Sequence, residues 1–151
     1  MIATQTNNNL PSNSLPLGSR WRGIQITHQQ VDTAIDRLIR WWWGAETPGL
    51  VLAGGCGTGK TTLADTVLGW AIARNVPARM YSEPDLLDTV RESYSRKQNG
   101  LVQRLAETPL LILDDIGAGY AKADDWYQEI YWLLLDPRSR PGYKTLITTN
   151  L

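Results

Sequence analysis

The chain has 151 residues, which suits one domain with a buried core, and its 42% hydrophobic and 20% charged content is ordinary for a globular protein. Its 15 basic and 15 acidic residues cancel, so no bulk charge draws it onto nucleic acid or an anionic membrane, although local basic patches remain compatible with this composition. The single cysteine, Cys56, excludes an internal disulfide, and no apolar run approaches the ~20 residues of a membrane span. The first residues lack the features of a secretory signal, so we expect a cytoplasmic protein without a membrane partner.

The amino-terminal region divides into a polar tail and the start of a folded domain. Residues 1–19 are rich in Asn, Thr, Ser and Pro and lack periodicity, which predicts a disordered tail. We place the folded domain at residues 20–151. Its first segment, residues 20–24, is interpreted as an exposed linker.

A first helix is predicted from about residue 27. Thr27 and Gln30 have the spacing of a capping box, and Gly44 is a natural end. The three tryptophans at 41–43 cannot all face one side of a helix, so at least one ring should be exposed or meet a partner. We interpret His28, the only histidine, as a surface residue rather than a catalyst. The apolar residues at helical spacing are Val31, Ile35, Leu38, Ile39 and Trp42.

The central motif is the glycine loop, residues 54–61, whose sequence GGCGTGKT fits the pattern G-x-x-x-x-G-K-[ST] at every fixed position. An apolar run at 49–53 predicts a buried strand before it, and a helix is predicted from about 60 to 74 after it. Glycines let backbone N–H groups surround a phosphate, and the helix N-terminus adds a partial positive charge. Lys60 is placed to reach the β- and γ-phosphates of ATP, and the Thr61 hydroxyl to ligate Mg²⁺.

The glycine loop therefore predicts ATP and Mg²⁺ as the cofactors.

Cys56 occupies a variable position of the pattern and is interpreted as a small filler residue, with a redox role as the alternative. For residues 20–24, the alternative to a linker is a segment that packs beside the nucleotide base. The expected nucleotide-binding residues are Gly54, Gly55, Cys56, Gly57, Thr58, Gly59, Lys60, Thr61 and Thr62.

The middle of the chain predicts a second strand and two helices. The strand covers residues 78–82, and the next helix opens with Pro84 at its first position. A polar loop at 95–100 precedes a short amphipathic helix that carries Leu101, Val102 and Leu105. The residues expected to line the longer helix are Leu86, Leu87, Val90 and Tyr94.

Two acids follow the apolar run at 110–113, which is typical of a buried parallel strand. Ligands bind beyond the carboxyl ends of such strands. We therefore expect Asp114 to hold Mg²⁺ and Asp115 to orient or deprotonate an attacking water. The alternative is that the acids form a helix cap or a solvated turn.

The last predicted elements are a helix at about 123–136, a basic turn at 138–142 and a strand at 144–150 that ends in Asn150. The apolar stripe expected on this helix contains Trp126, Ile130, Leu133 and Leu134.

The glycine loop, LLILDD at 110–115 and TTN at 148–150 resemble the Walker A, Walker B and sensor 1 elements of AAA+ ATPases. The segments GLVLAGGCGTGKTTLA, EPDLLDTVRESY, LLILDDIG and TLITTNL are similar to the DnaC/IstB-like branch of helicase loaders and transposition helper ATPases. The resemblance implies an α/β/α P-loop NTPase core with a parallel sheet in AAA+ order. It implies ATP hydrolysis by Lys60, Asp115 and Asn150, with Asn150 positioning the attacking water.

The resemblance also implies partners. Members of the branch assemble head to tail, complete each site with a neighbour's arginine, grip single-stranded DNA, and load a replicative helicase or assist a transposase. Residues 84–106 would then contribute a DNA-contacting surface, although a solvated helical face explains the same charges. The charged residues concerned are Arg91, Arg96, Lys97 and Arg104.

Three features depart from the pattern of the branch. The second Walker B acid is Asp115, where many AAA+ proteins have Glu. We also expect the partner-binding domain of the bacterial loader to be absent or reduced to the polar tail. The sequence stops at sensor 1, so we expect a truncated core without the arginine-finger segment, the lid and sensor 2, or a core that depends on other chains. Arg138 and Arg140 precede sensor 1 and do not match the usual finger position. A nucleotide-binding switch without hydrolysis and a small-molecule P-loop kinase remain the alternative functions.

Overall fold

The computed structural model describes residues 21–25, 31–44, 47–117 and 125–150. The predicted tail, the capping box and His28 lie outside these residues. The strands are β1 (Trp21–Gln25), β2 (Gly49–Ala53), β3 (Ala78–Ser82), β4 (Leu110–Asp114) and β5 (Lys144–Thr149). The helices are α1 (Val31–Trp43), α2 (Lys60–Ala73), α3 (Glu83–Ser95), α4 (Leu101–Ala106) and α5 (Asp125–Leu135), and a 3₁₀ turn covers Pro137–Ser139.

The five strands form one parallel sheet in the order β1-β2-β5-β4-β3. The inner strands β2 and β4 are largely apolar, and β5 carries Leu146 and Ile147 among three buried threonines. All three strands are almost entirely buried, as strands covered on both faces must be. Because all strands are parallel, their carboxyl ends lie at one edge of the sheet, and the residues that follow them meet there.

Helices cover both faces of the sheet. Leu50 and Leu52 pack into a core cluster with α1 and α2, whereas Val51 between them packs into a second cluster with α3, α4 and α5. This division follows from the alternation of side chains along a strand. The predicted three-layer α/β/α architecture is therefore confirmed. Within the described part of the chain, no helix is both long enough and apolar enough to span a membrane.

Two helices begin at the carboxyl edge of the sheet for local reasons. Gly59 adopts φ +88°, which favours glycine, and α2 starts at the next residue. At α3, the Ser82 hydroxyl accepts a hydrogen bond from the Asp85 N–H at 3.3 Å, and Pro84 lies in the first turn. The predicted starts of both helices are confirmed within one residue.

Residues Trp21–Gln25 correct one interpretation, because they form an edge strand and not an exposed linker. β1 pairs in parallel with β2, with Trp21 opposite Gly49 and Gln25 opposite Ala53. The pairing is supplied by a strand that lies more than twenty residues away, so local sequence alone does not predict it.

Helix α1 confirms one tryptophan prediction and corrects its inner face. Trp43 is 64% exposed, with the Arg74 guanidinium 4.5 Å from its ring centre. The buried face is centred on Ala34, Leu38 and Trp41, so Ile39 is 39% exposed and Trp42 is only partly buried.

Two other apolar stripes are rotated relative to their predictions. On α3, Ser93 is buried and Tyr94 is 48% exposed, so Tyr94 does not line the core. On α5, Leu133 is 51% exposed, because the buried face consists of residues 130, 131, 134 and 135. Apolar residues spaced three or four apart both fit the periodicity of a helix, so the sequence allows more than one buried face. The elements that pack against the helix determine which face is buried.

The predicted basic turn is present, and its first arginine, Arg138, has a completely buried side chain. Its Nε donates to Thr145 Oγ1 at 2.7 Å, and Nη2 donates to the Lys144 carbonyl at 2.7 Å. Burial lowers the pKa of Arg138 to about 10, so the group keeps its charge at neutral pH. Nη1 donates to the carbonyls of Leu105, Ala106 and Thr108. Arg138 therefore ties α4 and the start of β4 to the start of β5, at the edge opposite the carboxyl ends.

Candidate functional site

The carboxyl edge of the sheet brings together the polar residues that follow β2, β4 and β5. Ala53 at the end of β2 pairs with Thr149 on β5, and the Gly54 N–H donates to the Thr149 carbonyl at 3.2 Å. Residues 54–61, 114–115 and 148–150 therefore meet in space, although they are far apart in sequence.

The glycine loop forms an open turn between β2 and α2. Gly57 and Gly59 have φ values of +74° and +88°. A Cβ built at either glycine meets nothing within 4 Å, so backbone conformation and not space requires glycine here. The Thr58 hydroxyl donates to the Gly55 carbonyl at 2.9 Å and closes the turn. The Cys56 thiol is exposed, and Thr62 is exposed in the first turn of α2.

The Lys60 side chain folds back under the loop. Its Nζ donates to the carbonyls of Gly54 and Gly55, at 2.7 Å each, and the residue is only 7% exposed. The ammonium group is therefore held at the base of the loop, beside its backbone N–H groups and the N-terminus of α2. This arrangement concentrates positive charge where an anion would bind.

Thr61 and Asp114 lie side by side, as the metal-site prediction requires. The Thr61 hydroxyl oxygen is 3.1 Å from Asp114 Oδ1 and 3.0 Å from Oδ2. A hydroxyl and a carboxylate are hard oxygen donors of the kind that Mg²⁺ prefers. Across the residues with described positions, no group of three or more His, Cys, Asp or Glu could hold a metal. The pair therefore fits an ion that takes its remaining ligands from phosphate and water.

Asp115 and Asn150 also meet. The Asn150 amide donates through Nδ2 to Oδ1 of Asp115, and both side chains are exposed at the carboxyl edge. Asp115 has φ +56°, a left-handed conformation that is uncommon for residues other than glycine, asparagine and aspartate. This conformation turns the chain sharply after β4 and leaves the Asp115 carboxylate beside Asn150.

Two buried polar residues at this edge have roles that the sequence did not suggest. Thr148 is 1% exposed, and its hydroxyl contacts both Asp114 and the Asp115 N–H. Glu83 is 3% exposed; its Oε1 accepts from Tyr131 Oη at 3.2 Å and from the Gly117 N–H at 3.4 Å. The available signals were a threonine two residues before the predicted sensor asparagine and an acid directly after β3.

Comparison with known proteins identifies the family of this chain. A model of the family described as IstB-like ATP binding protein matches residues 24–151. The chain belongs to this family. It is an ATP-binding AAA+ domain of the IstB/DnaC type, and the predicted resemblance is confirmed. No curated protein matches the chain at a significant level.

Solved structures with the same fold include a helicase loader and a replication initiator. A DnaC helicase loader is 23% identical over 80% of this chain, with a TM-score of 0.67. DnaA from Aquifex aeolicus bound to AMPPCP has a TM-score of 0.69 at 16% identity over 83% of this chain. DnaA bound to AMPPCP and single-stranded DNA has a TM-score of 0.68 at 15% identity over 89%. The chain spans 70% of the DnaC chain but only 40% of each DnaA chain.

Proposed function

We propose that this chain binds and hydrolyses ATP as a DNA-replication accessory, acting on single-stranded DNA and a replicative helicase as a DnaC-type loader. The observation that carries the proposal is the meeting of Lys60, Thr61, Asp114, Asp115 and Asn150 at one edge of the sheet. Membership of an ATP-binding family supports ATP as the ligand. The fold shared with a DnaC helicase loader and with DnaA bound to single-stranded DNA supports a role in DNA replication, which we place in the cytoplasm.

In the proposed reaction, the glycine loop and Lys60 bind the phosphates. The Lys60 ammonium exchanges its bonds with the Gly54 and Gly55 carbonyls for phosphate oxygens. Asp115 accepts a hydrogen bond from the attacking water and takes its proton, and Asn150 fixes the direction of that carboxylate. The water is thereby aligned for in-line attack on the γ-phosphate, and the bond from the γ-phosphorus to the bridging oxygen breaks so that ADP leaves.

Thr61 and Asp114 would hold Mg²⁺ at the loop. The ion supplies positive charge that offsets the charge developing on the transferred phosphoryl group. The two protein oxygens already lie close together, so the chain presents these ligands with little rearrangement.

The proposed DNA surface is the α3–α4 face. Arg96 and Arg104 line a shallow cavity of about 120 Å³ between these helices. Arg96 forms an exposed ion pair with Glu92, and Arg91 lies 3.5 Å from Asp88 and 5.0 Å from the Trp126 ring centre. Exposed pairs of this kind are weak, so phosphates can compete for the guanidinium groups.

We further propose that each site is completed between subunits of a head-to-tail homo-oligomer. Arg138 is buried at the opposite edge of the sheet and is not free to contact a phosphate. We propose that a neighbouring subunit supplies the charge-neutralising arginine, as the resemblance to the DnaC/IstB-like branch implies. Such arginines contribute ~10³-fold or more to related phosphoryl transfers.

The test is ATP turnover measured over a wide range of protein concentration, with and without single-stranded DNA. The proposal predicts a specific activity that rises steeply with concentration and rises again with DNA. Flat or absent turnover with ATP still bound would instead indicate a nucleotide-binding switch.

Family membership favours a second candidate, an IstB-like transposition helper ATPase, because the matching family model carries the IstB description. The two candidates share the ATP site and differ in the protein partner. Binding to a purified replicative helicase, and not to a transposase, would select the loader; the reverse result would select the transposition helper.

A further inference from the structure

One buried hydroxyl connects the two acids of the site. Thr148 Oγ1 lies 2.5 Å from Asp114 Oδ1 and 2.8 Å from the backbone nitrogen of Asp115. The same residue accepts the Ile116 N–H on its backbone carbonyl at 2.9 Å. Thr148 therefore contacts three consecutive residues at the point where the chain leaves β4.

The direction of these hydrogen bonds is fixed by chemistry. A backbone N–H only donates, so the Thr148 oxygen must accept the bond from Asp115. A hydroxyl has a single proton, and this proton is then directed to the carboxylate of Asp114. The Asp115 amide therefore donates to the Thr148 hydroxyl, and this hydroxyl donates to the Asp114 carboxylate.

These two hydrogen bonds affect the orientation of the Asp114 carboxylate and the backbone conformation of Asp115. The Asp114 carboxylate accepts hydrogen bonds from the hydroxyls of Thr61 and Thr148, and these two bonds restrict its rotation. The backbone of Asp115 lies at φ +56°, a left-handed conformation, and its N–H is held by the Thr148 hydroxyl. Thr148 thus controls where both carboxylates lie relative to the glycine loop.

We propose that Thr148 is a positioning residue for phosphoryl transfer, acting through Asp114 and Asp115 without touching the nucleotide. The inference rests on the proposed function, since it assigns a role within that site. It adds a buried residue, 1% exposed, to a site otherwise defined by the glycine loop and the exposed ends of β4 and β5.

The competing explanation is that Thr148 is an ordinary buried threonine with a satisfied hydroxyl. The same strand provides a matched control for this explanation. Thr145 is 0% exposed, and its hydroxyl accepts from Arg138 Nε at 2.7 Å, at the opposite edge of the sheet. Thr145→Val and Thr148→Val therefore remove equivalent buried hydroxyls from β5, and only one of them faces the acids.

The experiment measures kcat, KM and ATP affinity for the parent, Thr148→Val, Thr148→Ser and Thr145→Val. We expect Thr148→Val to lower kcat by about 10- to 100-fold, as misplaced catalytic groups do, while ATP affinity changes less than about threefold. Thr148→Ser keeps the hydroxyl and should restore kcat. Thr145→Val should lower stability and leave kcat near the parental value.

A second readout is the Mg²⁺ concentration that half-saturates ATP binding. We expect it to rise in Thr148→Val and not in Thr145→Val, because only the former releases Asp114. Thr148→Ala replaces Thr148→Val if the valine variant does not fold. Parental kcat and parental Mg²⁺ dependence in folded Thr148→Val or Thr148→Ala would overturn this inference and leave the proposed function standing. Failure of the parent to bind ATP would overturn the proposed function itself.

Discussion

The side-chain amide of Asn150 donates a hydrogen bond to the Asp115 carboxylate, although 35 residues separate the two in sequence. Asp115 follows β4 and Asn150 follows β5, and these strands are neighbours in the sheet. Because the amide can only donate through Nδ2, it points an acceptor oxygen of Asp115 in one direction. This pair is the part of the site that we expect to act on water.

Asp115→Asn should leave ATP binding intact and reduce turnover by about 10²- to 10⁴-fold, the range that a positioned general base contributes. Asparagine has the same shape and tolerates positive φ, so the turn after β4 should persist. ATP titration and steady-state turnover measure the two effects separately. Turnover within a few fold of the parent would contradict the role assigned to Asp115.

Asn150→Ala should also reduce turnover, because the Asp115 carboxylate loses its orienting donor. The two substitutions should not add, since both act on the same water. We expect the double variant Asp115→Asn, Asn150→Ala to be about as slow as Asp115→Asn alone. Fully additive losses would mean that the two residues act independently.

Arg138→Met should destabilise the fold by about 3 kcal/mol or more, because it leaves several buried carbonyls without a donor. Arg140 lies two residues away and is exposed, so Arg140→Met is the control, with an expected change within about 0.5 kcal/mol. Urea unfolding of both variants measures the difference. Equal stabilities would contradict the structural role of the buried guanidinium.

The double variant Arg96→Gln, Arg104→Gln should weaken binding to single-stranded DNA. The slope of log affinity against log salt should fall by about 1.4, which corresponds to the loss of two phosphate contacts at about 0.7 each. The control is the double variant Arg74→Gln, Arg79→Gln, which removes the same charge from exposed positions just after α2 and on β3. If both double variants behave alike, the α3–α4 charges are a solvated surface.

Much of the fold was predictable because its strong signals are local. The apolar strands before the glycine loop and before Asp114 are buried on both faces, so their composition alone reveals them. The glycine loop is equally local, since Gly57 and Gly59 each adopt a conformation that favours glycine.

The remaining features depend on distant partners. Arg138 lies in a sequence typical of a basic turn, and its buried state depends on carbonyls about thirty residues earlier. β1 becomes a strand only through β2. Thr148 resembles any buried strand threonine until β4 places two acids beside its hydroxyl.

The most direct test of the account is ATP binding by the parent chain and by Lys60→Ala, with Mg²⁺ present. Lys97→Ala, which removes an exposed lysine outside the loop, is the control. We predict saturable ATP binding that weakens by about 100-fold in Lys60→Ala, since charged hydrogen bonds contribute about 1.5–3 kcal/mol each, and that is unchanged in Lys97→Ala. Equal ATP affinity in the parent and in Lys60→Ala would contradict the assignment of the nucleotide site to the glycine loop.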